Sequence, residues 1–121
     1  MINGELEESE IREGNELILK FEGFIKCLEG GAWRKDKEII QTKYISYNLS
    51  YSSLMPVVEK IGNLKINGYT PYLELTNFGC SISFDKNINL KTFRCCHGET
   101  LLIDIWIMVV EFLNWYLNLK K

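Results

Sequence analysis

The longest apolar run in the chain lies near its C-terminal end, where fifteen of the nineteen residues in Leu101–Leu119 are apolar or aromatic. Helical spacing of about 100° per residue places the four polar members within an arc of roughly 80°. The pattern predicts a helix with one narrow solvent-facing stripe, with Thr100 as its N-cap. The stripe consists of Asp104, Glu111, Asn114 and Asn118.

Between residues 64 and 96 the apolar positions follow the two-residue period of β-strands. In residues 81–84, serine alternates with isoleucine and phenylalanine, which predicts one solvent-facing and one core-facing side. The connections at 77–79 and 85–89 are too short for crossover helices, so we predict an antiparallel three-stranded meander. The predicted strands are 72–76, 80–84 and 90–96, with a further short run at 64–66.

A shorter helix is predicted before the meander. Four apolar residues share one helical face, and a serine at position 50 or 52 can cap the helix. Pro56 is tolerated in a first turn, where its missing N–H has no intrahelical partner. Gly62 and Asn63 form a typical helix stop. The apolar residues are Leu54, Val57, Val58 and Ile61.

The N-terminal part shows a different pattern. Leu17, Leu19 and Phe21 occupy alternate positions, which predicts a strand that ends or bends at Gly23. Residues 1–13 carry five glutamates and one arginine, which is typical of a solvated lead-in. The charged segment 32–41 is predicted to be an exposed loop.

These elements predict a single α+β domain over residues 1–121. It has an antiparallel sheet of about four strands and two helices, with the long C-terminal helix packed across one sheet face. The apolar surface of that helix is larger than one small sheet can cover, which favours a homodimer through the C-terminal helix.

Composition narrows the class of partner. The net charge of −2 provides no global basic field, which argues against indiscriminate binding to nucleic acid or to an anionic membrane. The acidic N-terminus lacks the layout of a secretory signal, so we expect a cytoplasmic protein with reduced cysteines. Asp104 and Glu111 make the C-terminal run costly to insert into a bilayer, so no membrane partner is expected.

Trp33, Arg34 and Lys35 form the one basic and aromatic cluster in the chain. A tryptophan beside basic residues can stack on a base and hold a phosphate; alternatively, Trp33 folds back over the core while the charges stay in solvent. With the tyrosines in the middle of the chain, this cluster is typical of a pocket for a nucleotide-like ligand or a peptide. The candidate binding residues are Trp33, Arg34, Lys35, Tyr47, Tyr51 and Arg94.

Two groups of residues suggest an enzymatic alternative, a small metal-dependent hydrolase or nuclease-like enzyme. Asp104 and Glu111 lie two turns apart on one predicted helical face and could bind a metal or carry out acid–base chemistry. Cys96 and His97, with Cys80 on a neighbouring strand, could supply a nucleophile and base, although adjacent cysteines on a strand point to opposite faces. No nucleotide-binding or hydrolase motif is present, which favours a non-enzymatic protein without a cofactor.

Three blocks resemble a group of small phage and prophage proteins of Bacteroidetes-type hosts. The blocks are residues 13–23, 47–61 and 109–116. That group has a Ser-Trp-x-Trp segment before its helix, whereas Tyr51 and Ser53 occupy the tryptophan places here. The resemblance implies a phage origin and an accessory role in the host cytoplasm, in which the protein occupies a host defence component, a nucleotide signal or phage machinery. It transfers no catalytic residue.

Overall fold

The protein is described from a computed structural model that covers residues 7–27, 31–41, 45–66, 68–76, 79–84, 92–95 and 100–119. Within these residues, three α-helices, a short 3₁₀ helix and two three-stranded antiparallel sheets make up a mixed α+β fold. In chain order they are α1 Glu8–Phe21, β1 Ile25–Lys26, β2 Ala32–Lys35, β3 Glu38–Gln41, the 3₁₀ helix Tyr47–Leu49, α2 Tyr51–Gly62, β4 Tyr72–Thr76, β5 Gly79–Ser83, β6 Phe93–Cys95 and α3 Leu101–Leu119. The α+β class is confirmed, but the strands form two sheets instead of one sheet of about four, and there are three helices instead of two.

The predicted N-terminal strand is wrong, because this segment is helix α1. Alternation of the leucines concealed a second pattern, in which Asn15, Ile18 and Leu19 follow helical spacing and are all buried. The backbone N–H of Glu7 is satisfied by Glu10 Oε1 at 3.2 Å at the start of the helix. The acidic lead-in is therefore partly the first turns of α1, and residues 1–6 lie outside the described part of the chain.

Gly23 stops α1 and does not bend a strand. Its φ of +94° is in the left-handed region, where a residue without Cβ is favoured. The Gly23 N–H donates to Lys20 O and the Phe24 N–H donates to Leu19 O, which is the hydrogen-bond pair of a Schellman motif. The side chains of Leu19 and Phe24 then pack in the same cluster, so the chain turns directly from α1 into the first sheet.

Sheet one, made of β1, β2 and β3, occupies the segment that was predicted to be an exposed loop. Lys35 pairs with Glu38 across a two-residue turn, and Asp36 adopts a φ of +53° there. Five successive charged residues at 34–38 concealed this hairpin, because only its inner face needs apolar side chains. Trp33 and Ile40 supply that inner face, and Trp33 packs against Leu19 of α1.

Helix α2 and sheet two largely confirm the predictions. Ser50 caps α2 and accepts from the Ser53 N–H at 3.4 Å, and the four predicted apolar residues are all buried. The prediction that Pro56 lies in the first turn of the helix is wrong. Helix α2 begins at Tyr51, so the proline lies in its second turn. The meander of β4, β5 and β6 has the predicted antiparallel order, and the buried Ile82 and Phe84 alternate with the half-buried Ser81 and Ser83.

Helix α3 lies at the centre of the fold. It packs across β5 and β6 of sheet two, as predicted, and is also covered by α1, α2 and the 3₁₀ helix. The two adjacent α1 residues Ile18 and Leu19 belong to different clusters, Ile18 to the main core around α3 and Leu19 to the cluster behind sheet one. The layers therefore run from sheet two through α3 and α1 to sheet one.

A lysine of α2 contacts the C-terminal end of α1. Lys60 Nζ donates to the backbone carbonyl of Phe21 at 2.7 Å and lies 4.6 Å from the centroid of the Phe21 ring. A cation here also interacts favourably with the negative end of the α1 dipole. The contact joins two helices that are separated by the whole of sheet one in the sequence.

By length and composition, α3 is a helix of the described chain that could cross a bilayer. Half of its apolar window is buried inside the fold. Sheet two, α1, α2 and the 3₁₀ helix all contact α3, while Leu101 and Leu119 at its ends are exposed. A homodimer through α3 stays a prediction.

Candidate binding surface

The outer face of sheet one carries a row of three exposed side chains. Ile25 pairs with Arg34, and Arg34 pairs with Ile39, so the three residues cross the sheet side by side on one face. Ile25 is 68% and Ile39 is 65% exposed, and Arg34 between them is also exposed. We call Ile25, Arg34 and Ile39 the outer row.

The opposite face of sheet one is packed against the fold and fixes which side chains face solvent. Trp33, next to Arg34 in β2, is 1% exposed and packs with Leu19 and Phe24. Strand side chains alternate between faces, so a buried Trp33 fixes Arg34 toward solvent. Burial of Trp33 corresponds to the core alternative, and this side chain is not positioned to stack on a base.

Lys35 and Tyr47 belong to the buried side of sheet one. The Lys35 ammonium lies 5.8 Å from the Phe24 ring centroid, which is a cation–π distance. Tyr47 packs against both hydrophobic clusters, and burial, followed by the nearby carboxylates of Glu22 and Glu38, raises its pKa to about 12. The phenol therefore stays neutral at physiological pH.

The remaining predicted binding residues lie elsewhere. Tyr51 is the first residue of α2 and is 46% exposed. Arg94 is in β6 of sheet two, opposite Ser81, and its side chain lies outside the described part of the structure. Of the six candidates, only Trp33, Arg34 and Lys35 share an element, and Tyr47 joins them through the cluster behind sheet one.

An open groove of about 620 Å³ lies between the C-terminal half of α3 and β6. It combines three polar residues of the predicted solvent-facing stripe with aromatic side chains from both elements. Its lining consists of Thr92, Phe93, Glu111, Asn114, Trp115, Asn118 and Leu119. The sequence identified the polar stripe, whereas Phe93 was expected only as a strand residue, because its approach to Trp115 depends on the packing of α3 on sheet two.

Asp104 departs from the predicted stripe, because it is 3% exposed while Glu111, Asn114 and Asn118 are exposed. It occupies the edge of the arc nearest the dry side of the helix, in the first turn, where a carboxylate is favoured by the helix dipole. Thr100 caps this turn as predicted, accepting from the Ile103 N–H at 3.1 Å. Asp104 does not line the groove with Glu111, so the two carboxylates do not face one site.

The cysteine hypothesis rests mainly on residues outside the described part of the chain, since Cys96 and His97 are not described. Cys80 is buried, and in the backbone register it is opposite Cys95. Within the described ranges, no three histidine, cysteine, aspartate or glutamate residues are grouped closely enough to hold a metal ion.

A buried polar network, missed in the sequence, joins three elements behind the candidate surface. Asn15 of α1 accepts from Trp106 Nε1 at 2.8 Å and donates to Asn48 Oδ1 at 3.1 Å. All three side chains are at most 6% exposed. A polar residue at a helical core position, such as Asn15 four residues before Leu19, was the signal that could have revealed α1 and this network.

Comparison of the chain with protein-family models, with curated proteins and with solved structures finds no match in any of the three.

Proposed function

We propose that this chain is a non-enzymatic binding protein that binds a host protein through the outer row of sheet one. The observation that carries the proposal is an exposed arginine that lies between two exposed isoleucines on a sheet whose opposite face is packed. Arginine surrounded by apolar side chains is the composition enriched at the centres of protein interfaces.

A protein partner fits this surface better than a nucleotide. A base needs an aromatic platform, and the tryptophan that would provide one, Trp33, is on the buried face. Ile25 and Ile39 offer aliphatic contact, and Arg34 has no ion-pair partner among the described residues. The complementary partner therefore carries a carboxylate within an apolar patch.

The resemblance to small phage proteins supports the choice of a host protein. Accessory proteins of this size act by occupying a component of the host cell, and such an activity requires a docking surface and no catalytic centre. The proposed role is to inhibit or sequester a host component, with a defence protein as the expected class of target.

Site-specific crosslinking tests the proposal. A photoreactive amino acid at position 34 should capture one partner in infected host cells, and the same group at exposed Arg12 of α1 serves as the control position. Arg34→Glu and Ile39→Asp should each weaken binding of the captured partner by about 2 kcal/mol, roughly thirtyfold in Kd, whereas Arg12→Glu should not. These positions are exposed, so urea unfolding of each variant should match the parent within about 0.5 kcal/mol.

A charge reversal makes the test specific. If a partner carboxylate faces Arg34, its replacement by lysine should restore binding to the Arg34→Glu variant. Equal binding by the parent and by Arg34→Glu would refute the proposed surface, even if a partner is captured.

A further inference from the structure

From the groove between α3 and β6 we infer a second binding site, one that takes the cationic end of an arginine or lysine side chain from a polypeptide. This site is separate from the outer row, since none of its described lining residues belongs to sheet one.

The charge of the groove favours a cation. Glu111 is the charged residue among the described lining side chains, and it forms no ion pair with any described residue. No described basic side chain lines the groove, and the Glu111 carboxylate would repel a phosphate or carboxylate placed beside it. A positively charged group would gain a partner for the Glu111 carboxylate.

The helix places an aromatic ring beside that carboxylate. Glu111 and Trp115 are four residues apart on α3, so their Cβ atoms are neighbours at about 5–6 Å on the helix surface. Trp115 is partly buried by tilted and edge contacts with Phe84, Phe93 and Phe112, which hold its ring in place. A carboxylate next to a fixed indole is a receptor for an ammonium or guanidinium group, through ion pairing and cation–π attraction.

The hydrogen-bond inventory of the groove points the same way. Asn118 Nδ2 donates to Asn114 O at 2.5 Å and contacts Asn114 Oδ1 at 3.4 Å, so this donor group is already engaged. The Asn118 side-chain oxygen and the Glu111 carboxylate remain as acceptors, beside the donor groups of Asn114 and Thr92. Guanidinium and ammonium groups are donors only, so the Glu111 carboxylate and the Asn118 oxygen are the groups that they would contact.

The indole N–H resonance of Trp115 provides a direct readout. The chain has three tryptophans, and Trp33 and Trp106 are only 1% and 2% exposed, so Trp115 is the tryptophan that a ligand can reach. Its resonance in a ¹H–¹⁵N spectrum is identified as the one missing from the Trp115→Phe variant.

The probe is the blocked tripeptide acetyl-Gly-Arg-Gly-amide, and its control is the same peptide with neutral citrulline in place of arginine. We expect the arginine peptide to shift the Trp115 resonance in a saturable way, with a Kd in the millimolar range because the contacts are few, and the citrulline peptide to bind about tenfold more weakly. Glu111→Gln should weaken arginine-peptide binding about tenfold, whereas Glu59→Gln, at an exposed glutamate of α2, should leave it unchanged.

Three results would overturn the inference. Equal binding of the arginine and citrulline peptides would remove the role of charge. Unchanged binding by Glu111→Gln, in a variant whose spectrum is otherwise that of the parent, would remove the role of Glu111. Tighter binding of free spermidine than of the arginine peptide would make a polyamine, and not a polypeptide, the source of the cation.

Discussion

Replacement of Asn15 tests the buried network that connects α1, α3 and the 3₁₀ helix. In Asn15→Ala, the Trp106 indole N–H and the Asn48 carbonyl oxygen lose the partners that they have at 2.8 Å and 3.1 Å. Both groups are buried, and each unpaired buried group costs about 1–3 kcal/mol. We therefore expect the free energy of unfolding to fall by about 3–4 kcal/mol, a large share of the roughly 5–15 kcal/mol that stabilises a typical domain.

Urea unfolding measures this effect. With an m-value of about 1.5–2 kcal/mol/M, the midpoint should fall by about 2 M at an unchanged slope. Asn114→Ala is the matched control, because it removes the same side chain from an exposed position on α3 and should change stability by no more than about 0.5 kcal/mol.

A double-mutant cycle isolates the indole contact from the loss of packing. Trp106→Phe removes the donor, so Asn15→Ala should cost about 1–2 kcal/mol less in that background than in the parent. Additive effects within about 0.5 kcal/mol, or a single-mutant cost below about 1 kcal/mol, would refute the role assigned to Asn15.

Backbone and titration predictions extend these tests. Gly14→Ala should lower the free energy of unfolding by about 2 kcal/mol, because the new Cβ would lie 2.6 Å from Trp106 Cη2. Gly23→Ala should lower it by about 1–2 kcal/mol, because the φ of +94° at this position is unfavourable for a residue with a Cβ. Urea unfolding measures both effects. Gly62→Ala has no neighbour within 4 Å and should be neutral or slightly stabilising; a loss of stability comparable to that of Gly23→Ala would contradict the conformational argument. Tyr47 should titrate near pH 12 when it is followed by ultraviolet absorbance. Because this pKa is above the unfolded value of 10.0, the free energy of unfolding should fall as pH rises from about 10 through 12, and the fall should be smaller in Tyr47→Phe.

The sequence was informative where local pattern and burial coincide. The face of α2, the N-caps Ser50 and Thr100 and the alternation in β5 all follow from spacing within a few residues. The packing of α1 on α3 could not be predicted, because α1 was assigned to a strand and two of the core positions of α1 are a glycine and an asparagine. Those residues are buried by their fit to Trp106, and such a fit is a property of the tertiary structure.

The candidate surfaces divide in the same way. Arg34 and the polar residues of α3 were identified from residue type and spacing alone. The position of Arg34 between two exposed isoleucines could not be predicted, because it depends on the register of a hairpin whose strands were concealed by their charged residues. The burial of Asp104 could not be predicted, because it depends on which edge of the α3 stripe the other elements cover.

The Asn15 network also constrains the order in which the protein folds. The hydrogen bond between Trp106 and Asn15 joins residues 91 positions apart, and the bond between Asn15 and Asn48 spans 33. Closing so long a loop is entropically costly and depends on prior formation of the segments between. We expect α2 and the β4–β5 hairpin, whose contacts are local, to form before α1 docks on α3. Protection of the Trp106 indole N–H from hydrogen exchange should therefore appear last during refolding and mark completion of the native fold.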